Sequence, residues 1–493
     1  PSYRQIEEPH SPSWCSTFRS PRSTASTLNT APQSPPSTTS PSRSVLVRSA
    51  TTSTVEAASP IMTVDAQRLE NSSTLSIESV LNQMPQFVPD GTQFDSGAQS
   101  SGAVTLGIAS VNLITTIVMM RARGMTWSRV PIFVYGILCS SIMGLIWFPM
   151  YQYSQILALS DRTLLTSFYV PASGGSVWLY ENLFWLLGHP EVYVIVIPAT
   201  AGVLEYLPVF VRKPLFSYRL AVAGIFGVVG LSAVVWVHHM YMTGWSPESN
   251  YPFMMSTEMI SIPFSFLVLV VLGTMWRGKP WKRLPMMAVY AVVWDKVIGG
   301  ITGVFLSDTP VDQYMHGSMF VVAHFHYMLM GAGLFGAMGV IAYFFPKMLN
   351  RYLDEFWGSV GFWTAFAGFQ LTFMSMFAAG LQGMPRRVLQ FDSLFNVSNW
   401  LSTIGAYIIG IGMLIFLYAI IESWRNGIPA PDNPWGGKTL ENFTSTPVPH
   451  ENFPVLPVVT EAPYNFGTPD PYEVADAAIM KATEGAEKVS ARS

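Results

Sequence analysis

The sequence predicts an all-α fold: a polytopic transmembrane helical bundle with about eight full spans and a partial first one. Three observations carry that expectation. Half of the 493 residues are hydrophobic and only 12% are charged, about half the charge of an ordinary soluble domain. Nine apolar segments follow one another from about residue 103, most of them near the roughly 20 residues that a bilayer crossing needs. The loops between them alternate in charge, in keeping with the positive-inside bias of membrane proteins.

Taken in order, residues 1–60 are rich in Ser, Thr and Pro and carry Arg4, Arg19, Arg22, Arg43 and Arg48 against Glu7, Glu8 and Glu56. That composition resembles an organelle targeting segment; a plain disordered arm is the alternative. Residues 61–100 stay polar and turn acidic through Asp65, Glu70, Glu78, Asp90 and Asp95, as an outer-side tail would. A transmembrane domain is expected over 101–423. Its apolar segments lie near 103–120, 130–155, 178–207, 218–242, 253–276, 284–306, 315–345, 358–382 and 399–422. The first is marginal, being short and interrupted by Ser110 and Asn112. One set of loops carries Arg121, Arg123 and Arg129, then Arg212, Lys213 and Arg219, then Arg277, Lys279, Lys282 and Arg283, then Lys347 and Arg351. The other set carries Asp161 with Arg162, then Glu248, then Asp308 and Asp312, then Arg386 and Arg387. The more basic set marks the inner side. Residues 424–493 form a polar, Pro-rich inner-side tail, with a short helix expected over Lys481 to Arg492.

The net charge of −3 argues against nucleic acid as a partner. Cys15 and Cys139 are too few and too far apart for a disulfide framework or a cysteine metal site. Histidine is the informative residue. Of eight, six (His189, His238, His239, His316, His324 and His326) fall in or beside apolar segments, where imidazole is costly and needs a reason.

His316 opens a segment that continues through His324 and His326. Two residues apart on a helix, the last two point about 200° from each other. They are not placed to share one metal, but each is placed to serve a separate haem on either side of the helix. Ordinary packing histidines are the plainer reading. By helical rise they lie roughly 12–15 Å deeper than His316. In Gly188-His189-Pro190-Glu191-Val192-Tyr193, the imidazole and the phenol stand at i and i+4 on one helical face, and Glu191 points nearly the opposite way. The next segment carries Trp236-Val237-His238-His239-Met240, two imidazoles about 100° apart on a helix. Two neighbouring helices thus offer three neutral imidazoles toward one point, a donor set that suits copper. Glu191, a carboxylic acid in mid-membrane, is expected to be neutral or to shuttle protons.

These phrases, with Val321-Val322-Ala323-His324-Phe325-His326-Tyr327 and Gly383-Met384-Pro385-Arg386-Arg387, resemble the signatures of subunit I of the haem–copper terminal oxidases, the cytochrome c oxidase type. The likeness runs over roughly 100 to 455 and includes Pro434-Trp435-Gly436-Gly437 and Pro449-His450-Glu451-Asn452-Phe453. It implies that His189, His238 and His239 bind copper, and that Tyr193 is covalently joined to His189 and supplies an electron and a proton. By the same resemblance His324 holds the high-spin, oxygen-binding haem and His326 the low-spin haem. Glu191 would be a proton branch point. Arg386 and Arg387 would pair with haem propionates, which guanidinium forks suit. Two haems, of the a type, and copper are therefore the expected cofactors.

Three departures stand out. The family has twelve transmembrane helices, and this chain matches from the middle of the fourth onward. The missing part holds the second axial histidine of the low-spin haem, and no histidine between His10 and His189 replaces it. A split gene, with a second polypeptide supplying the first helices, is one explanation; an incomplete sequence is the other. Second, the helix after the His238–His239 pair carries a proton-path lysine in most of the family. Here that stretch reads Ile262-Pro263-Phe264-Ser265-Phe266-Leu267, while the next segment carries Asp295-Lys296. Lys296 is the candidate replacement; the plainer reading has Asp295 and Lys296 binding a partner helix or snorkelling to the inner surface. Third, His316 resembles a ligand of the family's magnesium, but Gly317 stands where the customary aspartate would be, which argues against that ion.

The leading functional expectation is the catalytic subunit of a proton-pumping cytochrome c oxidase that reduces O2 to water. Its implied partners are cytochrome c, a dinuclear-copper subunit and other oxidase subunits. The expected place is the mitochondrial inner membrane, with a bacterial plasma membrane as the alternative. A quinol-fed oxidase is the nearest rival. A nitric oxide reductase fits Tyr193 and Glu191 less well. A non-catalytic transmembrane assembly subunit is the reading from a different class, and a transporter would show internal repeats.

Overall fold

In the computed structural model, residues 97–464 are described, apart from 454 and 456. The targeting-like segment, most of the outer tail and the expected helix at Lys481 to Arg492 lie outside them. The described part is helical throughout: α1 (Gly97–Met119), α2 (Ile132–Thr163), α3 (Val177–Val211), α4 (Tyr218–Ser232), α5 (Pro247–Met259), α6 (Ser261–Met275), α7 (Leu284–Ser307), α8 (Thr309–Met315), α9 (Met319–His326), α10 (Phe335–Leu349), α11 (Glu355–Leu381) and α12 (Asn396–Asn426). Between α9 and α10 the chain stays helical through a π-helical stretch, Tyr327–Leu334.

All nine expected segments correspond to helices. Seven spans among the described residues are long and apolar enough to cross a membrane, and α1 and α4 add two shorter apolar helices. Two boundaries differ from the sequence reading. The first helix starts at Gly97, inside the expected tail. The segment expected over 218–242 breaks: α4 ends at Ser232, and His238 and His239 ride on a separate 3-10 turn, Trp236–Met240. That turn brings both side chains to one neighbour, although adjacent positions stand about 100° apart on an α-helix and about 120° apart on a 3-10 turn.

α3 is the central strut, and nearly all of its inner half is buried. It tolerates Pro190, Pro198 and Pro208 because other groups take the carbonyls that prolines leave bare. Pro198 lacks the N–H that would reach Val194 O, and Ser140 Oγ of α2 donates there instead at 3.2 Å. In the apolar medium between spans, small residues replace the hydrophobic effect as the means of close approach. α11 and α12 meet through Gly361 and Gly368 on one side and Gly405 and Gly412 on the other. A Cβ on Gly412 would stand 2.3 Å from Ala365 N. Thr372 and Ser402 bond across this seam, Ser402 Oγ donating to Thr372 O at 3.1 Å.

The described part of the C-terminal tail straps span ends together. Lys347 Nζ, buried at the end of α10, donates to Asp432 O at 2.8 Å, Thr444 O at 2.8 Å and Thr446 Oγ1 at 2.9 Å. Tyr464 accepts from Ile132 N at 2.7 Å and donates to Glu205 Oε2 at 2.5 Å. Glu205 also accepts Phe133 N at 2.9 Å, so an α3 carboxyl closes the open first turn of α2.

Candidate metal centre

α3 carries His189 into the bundle and the 3-10 turn brings His238 and His239 to meet it. Their ligating nitrogens all lie within 4.8 Å of one another. His189 Nδ1 and His238 Nε2 are 3.0 Å apart, close to the roughly 3.3 Å that two nitrogens about 2.0 Å from one tetrahedral ion would show. Side contacts fix each ring. Trp236 Nε1 donates to Asn182 Oδ1 at 3.3 Å and docks the turn on α3. Trp185 lies flat on His239, with centroids 4.0 Å apart and planes at 8°. His238 Nδ1 stands 3.3 Å from Thr257 Oγ1. That hydroxyl spends its hydrogen on Phe253 O at 2.6 Å, so it accepts from His238, whose Nε2 keeps a lone pair toward the cluster. Nε2 of His189 and of His239 are buried and have no hydrogen-bond partner. Orphaned imidazole nitrogens are costly unless something binds them. No carboxylate or thiolate joins the cluster among the described residues, which makes it an all-imidazole set suited to copper. Tyr193 stands one turn below, its ring centroid 4.6 Å from that of His189.

His324 and His326 leave α9 on opposite sides, as their spacing requires. His324 Nδ1 meets Thr302 Oγ1 of α7 at 3.1 Å. Thr302 donates to Ile298 O at 2.9 Å, so its oxygen accepts from the imidazole and leaves Nε2 as the lone-pair nitrogen. Gly303 makes the approach possible, since a Cβ there would lie 2.9 Å from His324 Cε1. His326 Nδ1 donates to Val322 O at 2.8 Å, and its ring stacks on Phe373 of α11 at 4.3 Å and 18°. Both histidines thus hold one nitrogen by a hydrogen bond and present the other, the arrangement that orients an axial ligand. Both fit haem iron.

The loop with Arg386 and Arg387 is pinned beside His316. Arg386 N donates to Gly317 O at 2.9 Å and Met319 N to Met384 O at 2.9 Å. Burial first, and then Arg387, lower the pKa of Arg386, while Asp312 opposes them. Gly317 stands where the family's aspartate would be, yet His316 has a carboxylate neighbour from another position. Asp312, one turn earlier, accepts from His316 Nδ1 at 2.7 Å, and Gly317 takes a φ of 71° that favours glycine over aspartate.

Lys296 is buried rather than snorkelling, and it binds a neighbouring helix, one branch of the plainer sequence reading. Its Nζ donates to Thr200 Oγ1 of α3 at 2.6 Å and lies 5.6 Å from the centroid of Phe264, whose ring stands 5.7 Å from that of Tyr193. Asp295 is enclosed as well, and no ion pair joins the two among the described residues. Glu191 is exposed on the outer face of α3, away from the cluster.

A sequence profile described as "Cytochrome C and Quinol oxidase polypeptide I" matches residues 72–408. The chain belongs to this family. Cytochrome c oxidase subunit 1 of Thermostichus vulcanus is 40% identical over 360 residues, covering 73% of this chain and 65% of the relative. A probable cytochrome c oxidase subunit 1-beta of Nocardia farcinica is 41% identical over 366 residues, 73% of this chain and 61% of the relative. The match to Corynebacterium diphtheriae subunit 1 is 40% over 365 residues, with 73% and 64% covered. The chain therefore spans 61–65% of the length of these relatives. A cryo-EM structure of a heme-copper terminal oxidase dimer shares the fold, with a TM-score of 0.54 at 19% identity over 60% of this chain and 57% of that one. This oxidase polypeptide is a multi-pass membrane protein, and its family implies haem and copper.

Sequence reasoning missed the supporting groups. Thr302, Thr257, Trp185 and Phe373 hold the histidines in place, yet all sit on other helices or outside the histidine motifs. Thr302 alone carried a signal, as the one hydroxyl in the glycine-rich run from Gly299 to Gly303.

Proposed function

We propose that this chain is the catalytic subunit of a proton-pumping cytochrome c oxidase reducing O2 to water. The observation that carries the reading is the buried triad of His189, His238 and His239 with two unpartnered Nε2 atoms. His324 would hold the high-spin haem and His326 the low-spin haem, both of the a type. Bound there, copper and iron would supply the electrons for O–O cleavage; the protein's part is positioning and tuning. Tyr193 lies where a link to His189 is sterically short, and it supplies a further electron and proton. His189 can ligate through Nδ1 and keep Nε2 for that link. Arg386 and Arg387 would bind haem propionates at the outer end, and His316 with Asp312 offers a site for a magnesium ion.

Protons reach Tyr193 by way of Lys296, which takes the place of the family's lysine on the preceding helix. Its support is the file Lys296, Thr200 and Phe264 below Tyr193. Changing Lys296 to Met is expected to slow reduction of the oxygen site at least tenfold, measured by stopped flow; unchanged turnover would reject the assignment.

Glu191 would be the proton branch point toward the pump. A carboxyl exposed on a spanning helix is costly against lipid, which supports a covering polypeptide that supplies further oxidase helices and the second ligand of the low-spin haem. A pull-down that recovers no such partner would defeat that part. A dinuclear-copper subunit and cytochrome c complete the assembly. The family description also names quinol oxidases, so a quinol-fed enzyme is the second reading, and a partner with a dinuclear copper centre decides between them. The relatives cited are bacterial, which favours a plasma membrane; the mitochondrial inner membrane rests on the composition of residues 1–60. An optical difference spectrum of the purified complex tests the whole reading. Haem bands that shift with carbon monoxide, together with bound copper by metal analysis, are the expected result. Their absence would leave the non-catalytic assembly subunit.

A further inference from the structure

We propose that Asp295 is a protonatable site coupled to the haem that His326 would hold, gaining one proton when that haem gains one electron. The inference rests on the reading of His326 above and adds a group that the reading does not use.

Asp295 sits at mid-height of α7 with none of its surface exposed. Its Oδ1 accepts from Gln370 Nε2 of α11 at 2.7 Å. The orientation of that amide is fixed, because Gln370 Oε1 accepts from Tyr327 Oη at 2.7 Å and from Trp294 Nε1 at 3.2 Å. Asp295 Oδ2 is buried and has no partner. It lies against the π-helical stretch, where a Cβ on Gly331 would stand 2.9 Å from it and 2.6 Å from Asp295 Cβ. An asparagine would keep the bond to Gln370 and fill the same space. Shape and hydrogen bonding therefore do not require an acid here, and a carboxyl with half of its bonding unmet is a costly choice between spans.

The neighbours give the acid a connection. Tyr327 follows His326 directly in the chain. Its ring packs on Phe369 and Phe377 of α11 at 5.0 and 5.5 Å. Phe373, on the same helix, stacks on His326. One face of α11 thus grips both His326 and, through Gln370, Asp295. The titratable and charged groups facing Asp295 are few: Tyr327 from the π-helical stretch, none from α11, and Lys296 next to it on α7, whose ammonium is turned away to Thr200. Gly331, which Asp295 lies against, is five residues beyond His326, a rise of about 7–8 Å along the helix. At a separation of about 10 Å and an effective dielectric of about 20, a unit charge changes a protonation equilibrium by roughly tenfold. When a one-electron donor reduces the iron, Asp295 forms an O–H bond with a proton drawn from water, and the added charge is balanced; oxidation breaks that bond and releases the proton.

The test uses the complete oxidase complex, with the oxygen site blocked by carbon monoxide so that only the His326 haem changes state. Infrared difference spectra between its reduced and oxidised forms are compared for the wild type, Asp295→Asn and Gln370→Leu, in H2O and D2O. Expected is a carboxylic-acid band in the wild type that shifts in D2O, is lost in Asp295→Asn and moves in frequency in Gln370→Leu. The midpoint potential of the haem should fall as pH rises in the wild type and fall less in Asp295→Asn. Haem redox without a D2O-sensitive carboxyl band, or a band and a slope unchanged in Asp295→Asn, overturns the inference and leaves the oxidase reading standing. Should Asp295→Asn not assemble, an unmoved band in Gln370→Leu overturns it. Absence of any redox-active haem removes the oxidase reading and this inference with it.

Discussion

His324 shows how one hydroxyl defines a metal ligand. An imidazole has two nitrogens, and only a partner on one of them assigns the lone pair to the other. Thr302 supplies that partner at 3.1 Å, and Val322 O does so for His326 at 2.8 Å. Replacing Thr302 by Val takes the hydroxyl from His324 Nδ1 and leaves the backbone of Gly299 as its remaining partner, a loss of about 1 kcal/mol. The expected outcome is a shifted iron–histidine stretch and faster haem loss, read by resonance Raman spectroscopy and by haem transfer to apomyoglobin. Thr302→Ser keeps the oxygen and should restore both. An unaltered stretch in the valine variant would show that the hydroxyl does not set the ligand.

At the scale of elements, the structure is held by close approach of small residues and by repair of broken helical bonding. Gly412 of α12 leaves no room for a Cβ against Ala365 N, so Gly412→Leu must part α11 from α12. Overpacking of that kind costs about 1–3 kcal/mol or more, and the melting temperature of the detergent-solubilised complex should fall by several degrees. Ser140→Ala removes only the bond to Val194 O that Pro198 leaves open. An interhelical bond in a membrane is worth about 0.6 kcal/mol, so its shift should be much smaller. Equal effects from the two variants would contradict this ranking. The π-helical stretch Tyr327–Leu334 is the other irregular element. It follows directly on His324 and His326, in keeping with the tendency of π turns to occur at functional sites.

For the whole molecule, the described residues of the strap from 427 to 464 tie span ends together through buried polar groups. Burial raises the pKa of Glu441 above the usual carboxyl value, and Thr439 Oγ1 donates to it. A raised value means that the folded chain binds this proton more tightly than the unfolded chain does. Stability from this group is therefore full below the ordinary carboxyl range and declines as pH rises through that range toward the raised value. Hydrogen exchange across the strap should quicken with rising pH in that window, and Glu441→Gln should flatten the dependence. A pH response unchanged in the glutamine variant would assign it elsewhere.

Much of this architecture was legible in the chain itself. Apolar runs of bilayer length specify spans because lipid leaves a backbone no partner but its own helix. The spacing of His324 and His326 put them on opposite sides of one helix, and that of His189 and Tyr193 put them on the same face. Tertiary structure alone decided the rest. The His238–His239 pair meets His189 where the chain leaves the α-helix after Ser232, a break that Gly224, Gly227 and Gly230 did not by themselves locate. Lys296 and Asp295, adjacent in sequence, are drawn to different neighbours, one to α3 and the other to α11. Periodicity fixes where a side chain points around its own helix; which groups it meets depends on how the other helices are placed, and no local pattern encodes that.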